Sequence, residues 1–474
     1  MSDDFDVIVI GAGPAGENAA GRCAEGGLAV ALVERELVGG ECSFWGCMPS
    51  KALLRPGDVI AAARRVPGAA EAVTGALDVA AALEWRDRIT GHWNDEGQLP
   101  WLEERKIELV RGDGRLAGEL AVEVTAGDGS VRRLSARRAV VVATGTGAAI
   151  PPIPGLAEVR PWDNRDVTSA KDIPRRLLVL GGGAIGAEMA QAVRRQGAEE
   201  VTVVEAADRL LFREEPFAGD EVRAAFEAEG ITVLTGVKMT GARRQSLAGS
   251  EGLSTATDGP VVATLEDGRE LTGDEILVAV GRRPATASIG LETVGLEPGR
   301  YITVDDRLRA TGVAGGWLYA VGDCNGRALL THMGKYQARI AADVILGKDA
   351  SDQASTDRIP RVTFTDPQVC AVGLTEAQAR ERGLDVRVVT HPTGHVAGAT
   401  VSGRGISGTS QLVVDEQRRV IVGATFTGPG VAELLHSATV AVAGDVPLDR
   451  LWHAVPAFPT VSEVWLRLLE AYGL

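Results

Sequence analysis

Two thiols stand close together in Gly39-Gly40-Glu41-Cys42-Ser43-Phe44-Trp45-Gly46-Cys47-Met48-Pro49-Ser50-Lys51. Cys42 and Cys47 are either a redox-active pair or two unrelated buried groups. On a regular α-helix five steps rise roughly 7.5 Å and turn the two side chains to different faces. A disulfide needs Cα atoms within about 7 Å and β-carbons aimed at each other. A Cys42–Cys47 bridge therefore requires a tight, irregular turn, which Gly46 permits.

The elements around this stretch must position it. Val7-Ile8-Val9-Ile10 is the unbroken β-branched run of a buried parallel strand. Gly11, Gly13 and Gly16 follow, then an alanine-rich helix to about Glu25, and a strand from Leu28 to Val33 that ends in Glu34. The acid follows Gly11 at about the 20-residue interval expected of a group that holds a ribose hydroxyl. Such glycines let a pyrophosphate rest on a helix N-terminus. The pattern repeats at Leu177–Leu180, with Gly181, Gly183 and Gly186, and a strand Val201–Val204 ending in Glu205. Two dinucleotide sites in one chain most simply pass electrons from a nicotinamide to a flavin. Glu205 hydrogen-bonds a free 2′-hydroxyl and repels a 2′-phosphate, so NADH is expected over NADPH.

Residues 53–110 read as a packed helix pair, with Trp85, Trp93 and Trp101 on it, and 111–138 as a small β-meander. Ala139–Val142 enters Ala143-Thr144-Gly145, a strand running into a tight turn, and Pro151, Pro152 and Pro154 mark a domain crossover. Asp274–Val280 is a further buried strand, closed by Gly281-Arg282-Arg283-Pro284. Tyr319–Asp323 ends a strand on a carboxylate suited to a polyol, and a helix starts near His332.

Composition sets the limits. The chain has 474 residues, enough for several domains. A net charge of −15 argues against a nucleic-acid partner. Glycine at 59 residues with only 4% aromatics suits nucleotide-binding turns more than a β-sandwich. Five cysteines make no disulfide framework at this length, which points to a reducing compartment. The acidic start Met1–Asp6 has no basic n-region, and no apolar run approaches the ~18 residues of a membrane span, so a cytoplasmic, non-membrane protein is expected. No metal site is expected.

In motif order the chain resembles the flavin-dependent pyridine nucleotide–disulfide oxidoreductases, the family of dihydrolipoamide dehydrogenase, glutathione reductase and mercuric reductase. The matching stretches are GAGPAG at 11–16, GGECSFWGCMPSK at 39–51, ATG at 143–145, GGGAIGAEMA at 181–190, GRRP at 281–284, YAVGD at 319–323 and FPTVSE at 458–463. The resemblance implies an α/β protein with two Rossmann-like dinucleotide-binding domains and an α+β C-terminal dimerisation domain. Its expected parts are FAD-binding at 1–150, NAD(P)-binding at 151–280, a central part completing the FAD site at 281–350, and dimerisation at 361–474. It further implies FAD contacts from Gly40, Lys51, Gly114, Thr144, Gly145, Asp323 and His332, with Gly281 and Arg282 at the cofactor sites as well. Cys47 would lie beside the flavin, Cys42 would exchange with substrate, and Lys51 would pair with Glu188. The implied activity carries electrons from NADH through FAD and a Cys42–Cys47 disulfide to a disulfide or other small acceptor, in a homodimer that shares the site across its interface.

Two positions depart from the family pattern. Phe458 stands where the family has its acid–base histidine, so Glu463 is expected to lack the partner it normally orients. Glu41 replaces the threonine usual before the first cysteine, and a carboxylate there disfavours a thiolate. A phenylalanine at this place also resembles the carboxylating branch, 2-ketopropyl-coenzyme M oxidoreductase/carboxylase, although that branch has histidine where Glu463 stands. Quinone reduction and a redox-sensing flavoprotein are the remaining alternatives.

Overall fold

The computed structural model describes residues 3–245 and 259–474, which form two compact units. The first takes residues up to Pro49, Asp87–Gly147 and Arg282–Ile359; the second takes Ser50–Arg86, Ala148–Gly281 and Pro360–Leu474.

In the first unit strand β1 (Asp4–Ile10) lies at the centre of a mixed sheet. Strand β2 (Val30–Glu34) pairs with it in parallel, Val7 opposite Val30, and strand Val131–Val142 lies parallel on its other side, Ile10 opposite Val142. Leu318–Ala320 joins the same sheet in parallel. Both faces of β1 are covered, so its β-branched side chains are buried throughout the run. Helix α1 (Pro14–Glu25) packs on helix Thr331–Ile345 through small residues. A Cβ on Gly334 would come within 3.3 Å of the Ala15 Cβ. Arg22 clamps the far end of this pair with two hydrogen bonds to Asp343, of 2.9 and 2.6 Å.

The second unit holds a four-stranded parallel sheet in the order Ile231–Thr235, Glu200–Glu205, Arg176–Leu180, Glu275–Val278. Its helix Ala184–Arg195 buries Met189, Ala190 and Val193 in one core with Val201, Val203 and Phe226, joined by Leu53, Leu54 and Val369. A separate five-stranded antiparallel sheet runs from Pro360 to Gly428 and carries helix Leu435–Ala443 and helix Val464–Tyr472 in its core. Both doubly wound sheets and the α+β end agree with the expected fold class. Among the described residues no helix is long and apolar enough to cross a membrane.

The stretch 53–110 departs from the expected helix pair. Helix α3 (Cys47–Arg65) stops ahead of Pro67-Gly68, helix Val79–Ile89 ends near Gly91, and His92 and Trp93 take left-handed backbone at φ 54 and 57°. After the short helix Leu99–Glu104 the chain becomes a strand, Glu108–Arg111, because the edge of β2 accepts it in parallel. Trp85 is exposed and Trp101 half-buried, so the eight-residue spacing marks no common face.

Arg195 is the polar hub of the second unit. Its guanidinium reaches Asp58 at 2.9 Å, Glu229 at 2.6 Å and Asp366 at 2.9 Å, and Arg65 adds a second cation on Asp366 at 2.5 Å. Removing one member of such a buried network leaves uncompensated charge, at a cost of about 3–5 kcal/mol. Arg195→Met, close in volume, is therefore expected to lower the urea midpoint followed by circular dichroism by that equivalent. An unchanged midpoint would mean that packing alone holds this unit.

Candidate functional site

The two thiols meet because the helix between them is broken. Helix α2 (Gly40–Phe44) ends as Trp45 donates to the Glu41 carbonyl at 2.8 Å, and α3 begins afresh at Cys47. A Cβ on Gly46 would sit 3.1 Å from that same carbonyl, a tight contact that glycine avoids. Cys42 and Cys47, both free thiols, are within hydrogen-bonding reach of each other. The Cys47 Sγ lies 3.3 Å from Thr331 Oγ1, on the first turn of helix Thr331–Ile345. The hydrogen bond to Cys47 is the main cause raising the Cys42 pKa, burial adds to it, and Thr331 and Lys335 pull it down. Trp93, a residue with no sequence signal for the site, donates its indole N–H to the Phe44 carbonyl at 3.0 Å and so braces the end of α2.

Both nucleotide fingerprints share one geometry. Gly11 has φ 101° and a Cβ there would lie 2.5 Å from the Ala143 carbonyl oxygen; a Cβ on Gly16 would overlap the Gly11 carbonyl. Gly181 (φ 107°) and Gly186 repeat these constraints against Ala279 and Gly181. The middle glycines differ. A Cβ on Gly13 or on Gly183 would meet nothing within 4 Å, and each caps a helix N-terminus with no side-chain hydrogen bond. Two uncapped, open helix ends fit two pyrophosphates. The acids match as well: Glu34 accepts from Ala12 N and Glu36 N, both at 2.7 Å, and Glu205 from Gly182 N at 2.6 Å and Ala207 N at 2.7 Å. Each carboxylate is thereby fixed at its strand end.

Around the first fingerprint the Thr144 hydroxyl is buried without a hydrogen-bond partner among the described residues, an orphan that a bound cofactor would satisfy. Arg282 Nε donates to Thr146 Oγ1 at 2.6 Å, and the Thr146 hydroxyl donates to Asp323 Oδ2 at 2.7 Å. Burial raises the Asp323 pKa, with Glu41 adding a smaller push upward. Thr146 links two expected residues and was not itself expected. Gly40 (φ 56°) approaches Gly13 so closely that a Cβ would lie 2.8 Å from the Gly13 Cα. Gly145 is a left-handed turn residue at φ 71° with open space beside it, and His332 is exposed on the first turn of its helix. Gly114 instead packs against Val33 and Ile10, where a Cβ would sit 2.8 and 3.1 Å from their methyls.

In the second unit Lys51 Nζ donates to Glu188 Oε2 at 2.7 Å and lies 4.7 Å over the Phe364 ring. The other oxygen of Glu188 accepts from Phe364 N at 2.9 Å, so this buried carboxylate is paired on both sides. Gly281 lies in the short segment after strand Glu275–Val278, its carbonyl accepting from Ala149 N at 3.0 Å. Phe458 is 77% exposed, within an exposed run that includes Trp452 and Val455; His453 is exposed there too. Glu463 does not lack a partner: it accepts from Arg467 at 2.7 Å and from Ala397 N at 3.2 Å. Arg467 follows one helical turn later, where an i,i+4 pair forms locally.

Residues 5–341 match the family profile described as pyridine nucleotide-disulphide oxidoreductase, and residues 359–468 match the profile of its dimerisation domain. A dihydrolipoyl dehydrogenase of Chlorobaculum parvum is 34% identical over 98% of this chain and 96% of its own length. A mercuric reductase of Staphylococcus aureus is 30% identical over 97% of this chain and 81% of its own. Among solved structures, LpdA from Mycobacterium tuberculosis aligns with a TM-score of 0.85 at 25% identity, covering 99% of this chain and 100% of its own. The HOCl-induced flavoprotein disulfide reductase RclA from Escherichia coli aligns at 0.84 and 24% identity, over 98% and 99%, a likeness of fold.

The glycine geometry separates folding from binding. Gly13→Val fills only open space, so circular dichroism should be unchanged while bound flavin, read by visible absorbance after desalting, falls by at least tenfold. Gly16→Val should instead prevent folding of the first unit. Full flavin content in Gly13→Val would show that this helix end holds no phosphate.

Proposed function

We propose, from the premise that this chain belongs to the pyridine nucleotide-disulphide oxidoreductase family, that Cys42 and Cys47 form its redox-active pair and serve a small acceptor. The observation that carries the reading is the broken helix, which brings two thiols together beside Thr331 with no other evident structural purpose. FAD and NAD(P)H are general to the family. We assign FAD to the fingerprint of Gly11, Gly13, Gly16 and Glu34, and the nicotinamide dinucleotide to that of Gly181, Gly183, Gly186 and Glu205. Bound FAD would supply two-electron transfer between the nicotinamide and the two sulfurs.

The chain's own groups do the rest. Two electrons and two protons convert the Cys42–Cys47 disulfide to two thiols. Cys47 stays by Thr331, and the Cys42 thiolate attacks one sulfur of a disulfide acceptor, whose S–S bond breaks to release a thiolate that takes up a proton. Cys47 then attacks Cys42 in the mixed disulfide, releasing the second thiol and restoring the Cys42–Cys47 disulfide. Lys51, ion-paired with Glu188 at 2.7 Å, is the cation we assign to the flavin. Asp323, set by Thr146 and Arg282, is the group for the ribityl hydroxyls. The exposed apolar run Trp452, Val455 and Phe458 supports a partner chain covering it, as a site shared between subunits requires.

Phe458 sets the acceptor class. Positioned acid–base help is typically worth about 10²–10⁴-fold, and a benzyl group offers none. Ordinary disulfides are then poor substrates, which favours a second reading in which acceptors such as quinones bypass the thiols. Glu205, fixed by two backbone N–H groups, supports NADH over NADPH.

Anaerobic NADH titration of the wild type is expected to release two alkylatable thiols per chain, and none from Cys47→Ser. No thiol release from wild type would end the redox-pair reading. Phe458→His should raise lipoamide turnover at least tenfold while quinone turnover hardly moves; wild-type disulfide rates equal to those of the mutant would refute the role given to Phe458. Glu205→Ala should narrow the gap between NADH and NADPH in kcat/KM, and a wild type that already uses NADPH equally would overturn the preference.

A further inference from the structure

With no imidazole at position 458, the thiolate of Cys42 needs its stabilising charge from elsewhere. The helix Thr331–Ile345 already presents Thr331 to Cys47 at 3.3 Å. Lys335 follows at i+4, one turn along the same face. It is half-buried and makes no hydrogen bond to any described residue. Its ammonium acts instead on two groups through space, lowering the pKa of Cys42 and that of Glu17.

Glu17 lies on α1, the helix that packs against this one through Ala15 and Gly334. It also lines a cleft of about 380 Å³ with Trp101, Arg105 and Arg339, the last being the next residue on the Thr331–Lys335 face. The chain thus places a half-buried carboxyl on the cleft wall, a lysine and a thiol in succession along two packed helices. Burial pushes Glu17 up to about 7; Lys335 opposes this and Glu34 on β2 adds to it. Glu17 therefore changes charge within the working pH range. Below that pH it is neutral and Lys335 acts on Cys42 undiminished. Above it the carboxylate offsets part of the ammonium, so the pull on Cys42 weakens as pH rises.

We propose that Lys335 is a positioning cation that stabilises the Cys42 thiolate from within the same chain, and that Glu17 tunes it by gaining or losing a proton. The proposal rests on the redox-pair reading for its purpose, but the charge coupling is measurable without it. Lys335 is the smallest of the named influences on Cys42, so its effect belongs at the low end of the range of about 1–3 pH units for an opposite charge, about tenfold in thiolate fraction.

The test uses the full-length holoenzyme, reduced anaerobically with dithiothreitol and freed of it. Iodoacetamide then reacts with the Cys42 thiolate, forming a sulfur–carbon bond and releasing iodide, and mass spectrometry reads each cysteine against pH. Lys335→Met is expected to move the Cys42 midpoint up by about one pH unit, slowing its alkylation about tenfold at neutral pH. Lys335→Arg should restore the wild-type profile, which a merely structural role for the lysine stem would not require. Glu17→Gln should move the midpoint down and abolish any inflection near pH 7. A wild-type Cys42 profile in Lys335→Met, or an Arg variant that behaves like the Met variant, overturns the role of Lys335. An unaltered profile in Glu17→Gln overturns the tuning, and this conservative variant still reports if the lysine variants fail to fold. NADH-driven thiol release in wild type is scored separately: its absence removes the redox-pair reading while the alkylation profiles still decide the coupling.

Discussion

The interruption of one helix is the constraint from which the site follows. Were Gly40 to Arg65 a continuous helix, Cys42 and Cys47 would face different ways and could not come within hydrogen-bonding reach of each other. At the break, Gly46 gives the Glu41 carbonyl room and Trp93 holds the Phe44 carbonyl from outside. Restarting at Cys47 then sets the phase of α3, so Lys51 follows one turn later and Leu53 and Leu54 turn into a core. Shifting the restart by one residue would rotate each of these by about 100°.

Buried carboxylates give the protein its second theme. Glu34, Glu205 and Glu188 each have both oxygens or their close surroundings committed to backbone N–H groups or a cation. Such hydrogen bonds satisfy the carboxylates and hold them in fixed orientations. Glu17 is different, because burial is only partly offset by Lys335, and it remains a group that titrates near neutrality. The contrast is between acids fixed by hydrogen bonds and one governed mainly by burial.

Phe458 and Glu463 show how a motif can survive with altered meaning. The proline, threonine, serine and glutamate of the closing motif are present, yet Glu463 bonds Arg467 and Ala397 within its own unit. Its carboxylate therefore needs no histidine to be satisfied. The exposed phenylalanine adds apolar surface where the family's pattern has a proton carrier.

Read alone, the residues marked the two glycine fingerprints with their acids and the pair of thiols, because strand hydrophobicity and glycine spacing are local properties, while the resemblance implied the fold class. The resemblance then supplied Lys51 with Glu188, and Asp323. Local pattern misjudged residues 53–110, where left-handed His92 and Trp93 break the helix and the edge of β2 recruits Glu108–Arg111 as a strand. It also missed Thr146, Thr331, Trp93, Lys335 and Glu17, and it left Arg467 unnoticed beside Glu463. These residues act across packed elements, and their roles depend on which helix face meets which neighbour. That choice is made by long-range packing, as when Gly334 lets α1 approach closely enough for Glu17 and Lys335 to share one field. Periodicity marks the face of a helix; only the tertiary structure decides what that face meets.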